Sequence, residues 1–191
     1  MPNNVILKTT NLQKSFSGII AAEDINITVK ESEIIGIIGA NGAGKTVFVN
    51  MITGYLKPTS GTIAFDNQDI TGIKPRDATH IGVCRSFQVS QVFMTMTVKE
   101  NLMVAMSLAK KSGSQLLNPI DDEKLSKECD KILKQYQIFN QKDLVVSTLS
   151  QGMRKLLDIA MAVVGNPKVL LLDEPTSGVS VEEKFGIMDI V

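Results

Sequence analysis

The sequence has no tryptophan, one histidine (His80) and two cysteines, Cys84 and Cys129, which stand far apart with no CxxC spacing. That scarcity excludes a disulfide-stapled secreted domain and a Cys/His zinc site, and both cysteines are expected to be free thiols in a reducing compartment. No charge of either sign dominates, because 20 Lys and Arg residues face 20 Asp and Glu residues. No general field therefore draws the chain to nucleic acid, and no nucleic-acid partner is expected. Apolar runs fall well short of the about 18 residues that cross a bilayer. The opening MPNNVILKTT lacks the basic and apolar regions of a signal peptide. The expectation is a cytoplasmic chain, peripheral on the inner face of the cell membrane only through a partner. Repeats and low-complexity tracts are also missing, and 191 residues suffice for one substantial core.

What is present reads as α/β. Two continuous aliphatic runs, IIGIIGA at 34–40 and VLLLD at 169–173, suit central strands of a mainly parallel sheet covered on both faces. Weaker strands are predicted at 5–10, 25–30 and 61–66, short and bounded by polar residues, as in an outlying antiparallel sheet. From Thr97 to about Phe139 the period becomes helical, with Leu125, Cys129, Ile132, Leu133 and Tyr136 on one face. Met94, Met96, Met103 and Met106 are expected mainly to fill core, with a pliable contact surface as the alternative.

GANGAGKT, residues 39–46, follows the first aliphatic run and precedes the apolar helix VFVNMIT. This is G-x-x-x-x-G-K-[ST] in a strand, loop, helix context. Its glycines permit a tight loop whose N–H groups converge on phosphate, aided by the positive end of the helix dipole. Lys45 is expected to reach the outer phosphates and Thr46 to coordinate Mg²⁺. The whole loop, Gly39, Ala40, Asn41, Gly42, Ala43, Gly44, Lys45, Thr46 and Val47, is the predicted nucleotide cradle. VLLLDE delivers Asp173 and Glu174 at a strand's carboxyl end, where open α/β sheets bind ligands. Asp173 is expected to hold Mg²⁺, and Glu174 to orient or deprotonate water. LSQGM, 149–153, opens a helix that Gly165 and Pro167 close, and Ser150 there also reads as a plain N-cap.

The order of P-loop, LSQGM and VLLLDE resembles the ABC ATPases, the nucleotide-binding motor subunits of ABC transporters, over nearly the whole chain. The resemblance implies a P-loop NTPase core with an outlying antiparallel sheet and a helical subdomain, here 97–165 within a single domain 1–191. It implies ATP and Mg²⁺ as cofactors. It assigns adenine stacking to Phe16 in LQKSFSG, with a core phenylalanine as the competing reading. Gln88 in RSFQ takes the role of the glutamine that contacts Mg²⁺ and water and links the site to membrane subunits. Ser150 and Gly152 take the roles that bind the γ-phosphate of a second ATP-binding subunit in a head-to-tail dimer. Partners are thus that second subunit and integral membrane permeases.

KSFSGIIAAEDI and IGVCRSFQVSQVFMTMTVKENLMVAM look like the branched-chain amino acid import branch, with urea importers and lipopolysaccharide-export ATPases as near relatives. Val47, Met153 and Ser180 depart from the family pattern. So does the lack of a histidine after Glu174, where the family carries a γ-phosphate switch. His80 precedes Gln88 and does not match it in position. Ser180 and Glu183 form a capping box that opens a helix with no stop signal before Val191. The sequence therefore reads as cut in mid-helix. Slow turnover is expected of these 191 residues, since one lost electrostatic contact costs about 2.7 to 4 kcal/mol in a transition state. Alternatives are a non-transport ABC ATPase and a hydrolysis-deficient nucleotide-binding regulator.

Overall fold

The computed structural model describes residues 4–86, 90–110 and 123–179. They form two compact units, Met1–Cys84 and Arg85–Val191.

The first unit is built on a five-stranded sheet. Its long strand β1 (Val5–Phe16) pairs with β2 (Ile19–Ile25), β3 (Thr28–Lys30) and β4 (Ser60–Phe65), and β4 pairs with β5 (Gln68–Asp69). Every one of these pairings is antiparallel. Alternation sets the faces: Ile63 and Phe65 of β4 are buried in the core, with the half-buried Ala64 between them. Buried Thr9 accepts the Ile27 N–H and donates to the Ile25 carbonyl, both at 3.0 Å, so its hydroxyl is satisfied inside the sheet. Helix α1 (Lys45–Ile52) buries Phe48, Val49, Met51 and Ile52, each such side chain contributing about 1.5–3 kcal/mol. A short helix α2 (Pro75–His80), begun by its proline, buries Ala78.

One expectation fails here. Residues 34–40 lie outside every helix and strand, with Ile34 94% and Ile38 98% exposed. An aliphatic run favours a strand only where neighbouring strands satisfy its backbone and both faces are covered, and among the described residues this run has neither. The mainly parallel sheet is accordingly not what these residues form.

Strand β6 (Val83–Ser86), whose last two residues open the second unit, and β7 (Val169–Leu172) make a separate two-stranded sheet. The VLLLD strand thus exists, but its four residues are half-buried rather than buried throughout. Helix α3 (Val98–Lys110) starts at a capping box. The Thr97 N–H donates to Glu100 Oε2 at 2.7 Å and the Glu100 N–H to Thr97 Oγ1 at 3.2 Å. Helix α4 (Glu123–Gln135) buries Leu125, Cys129 and Leu133 on the predicted face. Two 3-10 turns, Phe139–Gln141 and Val146–Thr148, lead to α5 (Gln151–Val163). These helices share one apolar core, including Leu102, Met106, Cys129, Leu133, Leu157 and Ile159. Met103 and Met106 fill that core while Met94 is exposed. Both cysteines are free thiols, as expected. Part of the stretch predicted as helical, residues 111–122, and the terminal helix opened by Ser180 lie outside the described residues.

Candidate functional site

The sequence GANGAGKT folds as a loop running into α1, with Gly42 at φ 84° and Gly44 at φ 83°. At these angles a Cβ is strained, so glycine is what the loop requires. Gly44 has a second reason. A Cβ there would lie 2.3 Å from the Ala21 carbonyl oxygen, whereas at Gly42 it would meet nothing within 4 Å. Backbone contact thus sets the loop against β2, while the Gly42 side is open. Helix α1 has no side-chain N-cap bond. Its first-turn N–H groups lack intrahelical acceptors by helix geometry and suit an anion. Lys45 Nζ donates to the Gly39 carbonyl at 2.7 Å and the Ala40 carbonyl at 3.0 Å, so the ammonium folds back across the loop. Thr46 and Val47 follow in the first turn of α1.

Phe16 ends β1 opposite Ile19, at the tip of the hairpin whose next strand carries Ala21. It is 45% exposed, with Lys14 Nζ 5.1 Å from its ring centroid. A core phenylalanine is therefore not what the fold makes of it: the ring is half-exposed and carries a cation over it.

The remaining predicted residues lie in the second unit. Asp173 follows β7, is buried, and meets Arg85 Nη2 through Oδ2 at 3.4 Å. Glu174 is exposed and sits at φ 46°, a left-handed conformation uncommon for a non-glycine residue, with its carbonyl accepting the Ser177 N–H at 3.0 Å. Ser150 is the N-cap of α5: its Oγ accepts the Met153 N–H at 3.2 Å, and the residue remains exposed, while Gly152 is buried. Met153 packs against the helical core, which accounts for an apolar residue there. Gln88 lies outside the described residues.

Sequence reasoning missed a buried polar cluster around Asp173. Lys155 and Asp158, one helical turn apart on α5, are 2% and 5% exposed. Burial pushes the Lys155 ammonium below the usual lysine range, opposed first by Asp158 and then by Asp173, with Arg85 acting in the same direction as burial. Asp158 Oδ1 accepts the backbone N–H of Gln91 at 3.0 Å. The only sequence signal was a Lys and an Asp among apolar residues of a helix, since the contacts span 67 and 88 residues.

A glycine-built loop on a helix N-terminus with an inward-folded lysine can take a nucleotide's phosphates. The Thr46 hydroxyl, in the first turn of α1, is an oxygen donor of the hard kind that Mg²⁺ prefers. These features define the class: a P-loop nucleotide-binding domain. The chain belongs to the ABC transporter family, which matches residues 22–177. It is 35% identical over 182 residues to the probable branched-chain amino acid transport ATP-binding protein LivG of Methanocaldococcus jannaschii, covering 92% of this chain and 70% of that one. It is 33% identical over 174 residues to the lipopolysaccharide export system ATP-binding protein LptB of Haemophilus influenzae, covering 91% and 69%. A solved ATP-binding cassette of an ABC transporter in its ADP conformation superposes with a TM-score of 0.84 at 33% identity, over 97% of this chain and 75% of that one. The protein is thus an ATP-binding subunit of ABC-transporter type with the ABC cassette fold, in a family of ATP hydrolases. Among the described residues no helix is long and apolar enough to cross a membrane.

Proposed function

We propose that the chain is the motor of an importer for branched-chain amino acids, one half of an ATPase dimer docked on integral membrane permeases at the cytoplasmic face. The glycine loop carrying Lys45 across the start of α1 is the observation that carries the motor reading. The import reading rests on the likeness to LivG. In this reading residues 39–47 hold the phosphates and Phe16 stacks on adenine. Thr46, Gln88 and Asp173 hold Mg²⁺, which supplies charge neutralisation on the transferring phosphoryl group. Glu174 orients the attacking water, and Ser150 and Gly152 face the nucleotide of the second subunit. The whole chain is read as one ATPase domain, with 97–165 as its helical subdomain.

Uptake of labelled leucine, isoleucine and valine into vesicles holding the chain with its permeases tests the cargo. ATP-dependent uptake that Glu174→Gln abolishes is the expected result. ATP hydrolysis with none of the three taken up overturns the import reading. The likeness to LptB makes lipopolysaccharide export the second reading, and the same preparation tests it.

A further inference from the structure

The hairpin that carries Phe16 is brought against the start of α1 by an irregularity in its register. Lys14 faces Ala22 while Ser15 faces Ile20, so Ala21 is an extra residue on β2, a bulge. Its carbonyl is the one on which Gly44 rests, where a Cβ would fall 2.3 Å from the oxygen. The bulge thus sets the hairpin tip beside the glycine loop.

Hydrogen bonds also pin the end of β1 to residues 57–59, which follow α1. The Thr59 N–H donates to the Gln13 carbonyl at 2.8 Å, and the Ser15 N–H donates to Thr59 Oγ1 at 3.0 Å. Between them Lys14 Nζ donates to the Lys57 carbonyl at 2.8 Å. That bond fixes where the ammonium stands, which is over the Phe16 ring, 5.1 Å from its centroid. Lys14 and Phe16 are two residues apart on β1, the spacing that puts both side chains on one face of a strand. A surface lysine ordinarily leaves its head in water, whereas this one is held between a carbonyl and an aromatic face.

We propose that Lys14 is a positioning residue for the nucleotide base and acts through Phe16. Its ammonium covers one face of the ring, so the base stacks on the opposite face. The cation draws on the electron density of the ring and makes that opposite face a better partner for an electron-rich purine. Holding the ring in place beforehand also lowers the cost of ordering it when nucleotide binds. This rests on the reading of Phe16 as the residue that stacks on adenine.

Calorimetric titration of the full chain with Mg-ATP, and with inorganic tripolyphosphate as a probe that has phosphates but no base, tests this. The variants are Lys14→Met, Lys14→Arg, Phe16→Ala and Lys14→Met combined with Phe16→Ala. Lys14→Met keeps the apolar stem and removes the charge; it weakens ATP binding by about two- to fivefold and leaves tripolyphosphate binding as it was. Lys14→Arg restores most of the affinity, because a guanidinium also stacks on an aromatic face. Once Phe16 is alanine, Lys14→Met has no further effect. An equal loss for tripolyphosphate overturns the proposal, since Lys14 would then act on the phosphates or on the loop as a whole. A loss that persists without the ring overturns it too, as does ATP affinity that Phe16→Ala lowers and Lys14→Met does not. ATP affinity unchanged by Phe16→Ala overturns instead the stacking reading itself.

Discussion

Two alanine substitutions in the glycine loop separate conformational strain from steric contact. Gly42 and Gly44 have nearly the same φ, 84° and 83°, so an alanine at either carries the same left-handed penalty of about 1–2 kcal/mol. At Gly42 that penalty stands alone, because a Cβ meets nothing within 4 Å. At Gly44 the Cβ falls 2.3 Å from the Ala21 oxygen, a backbone atom that cannot rotate away. Either β2 or the loop must shift by several tenths of an ångström, and overpacking of that sort adds about 1–3 kcal/mol. Gly44→Ala is thus expected to lose about 2–5 kcal/mol against about 1–2 for Gly42→Ala. Urea unfolding of both variants measures the difference. Gly44→Ala should also bind ATP more weakly, because its loop is displaced. Equal stabilities for the two variants would refute the reasoning, since they would show that the loop does not rest on β2.

Phe16→Ala should weaken ATP binding by about 1–3 kcal/mol without moving the urea midpoint, because the ring is a half-exposed stacking surface; unchanged affinity in a nucleotide titration would contradict this. Hydrogen bonds from Thr97 hold the Glu100 carboxyl below the usual glutamate range, so its stabilising contribution is present above the ordinary value of 4.5 and lost as pH falls through the lowered one. Acid titration of the α3 amides should show fraying there that Glu100→Gln makes independent of pH. Burial pushes the Cys129 thiol up to about 11, and raises Cys84 as well. Thiol labelling at pH about 8 should be slow in the native protein and complete in denaturant; rapid native labelling of Cys129 would place it outside the core.

The glycine loop before α1 was legible because its geometry is local: the glycines and the lysine that folds back on them all lie within the short stretch 39–46. Ser150 as a cap and the apolar face of α4 were legible for the same reason, each resting on spacing within a turn or two. The run at 34–40 misled because a buried strand is a property of its neighbours, and hydrophobicity alone does not supply them. The β1–β2 hairpin went partly unseen, since IIAAED lacks clean alternation and its outer residues Ile19 and Ile20 are exposed. Arg85, Lys155 and Asp158 were invisible as a group because their partners come from distant parts of the chain.

The central claim is that residues 39–47 bind the phosphates of ATP. Calorimetric titration of the purified chain with Mg-ATP, beside the Lys45→Ala variant, tests it most directly. The account predicts saturable binding of one nucleotide per chain that Lys45→Ala weakens by about tenfold or more, as loss of a charge-assisted contact to phosphate should. Absence of binding, or binding that Lys45→Ala leaves unchanged, would contradict it.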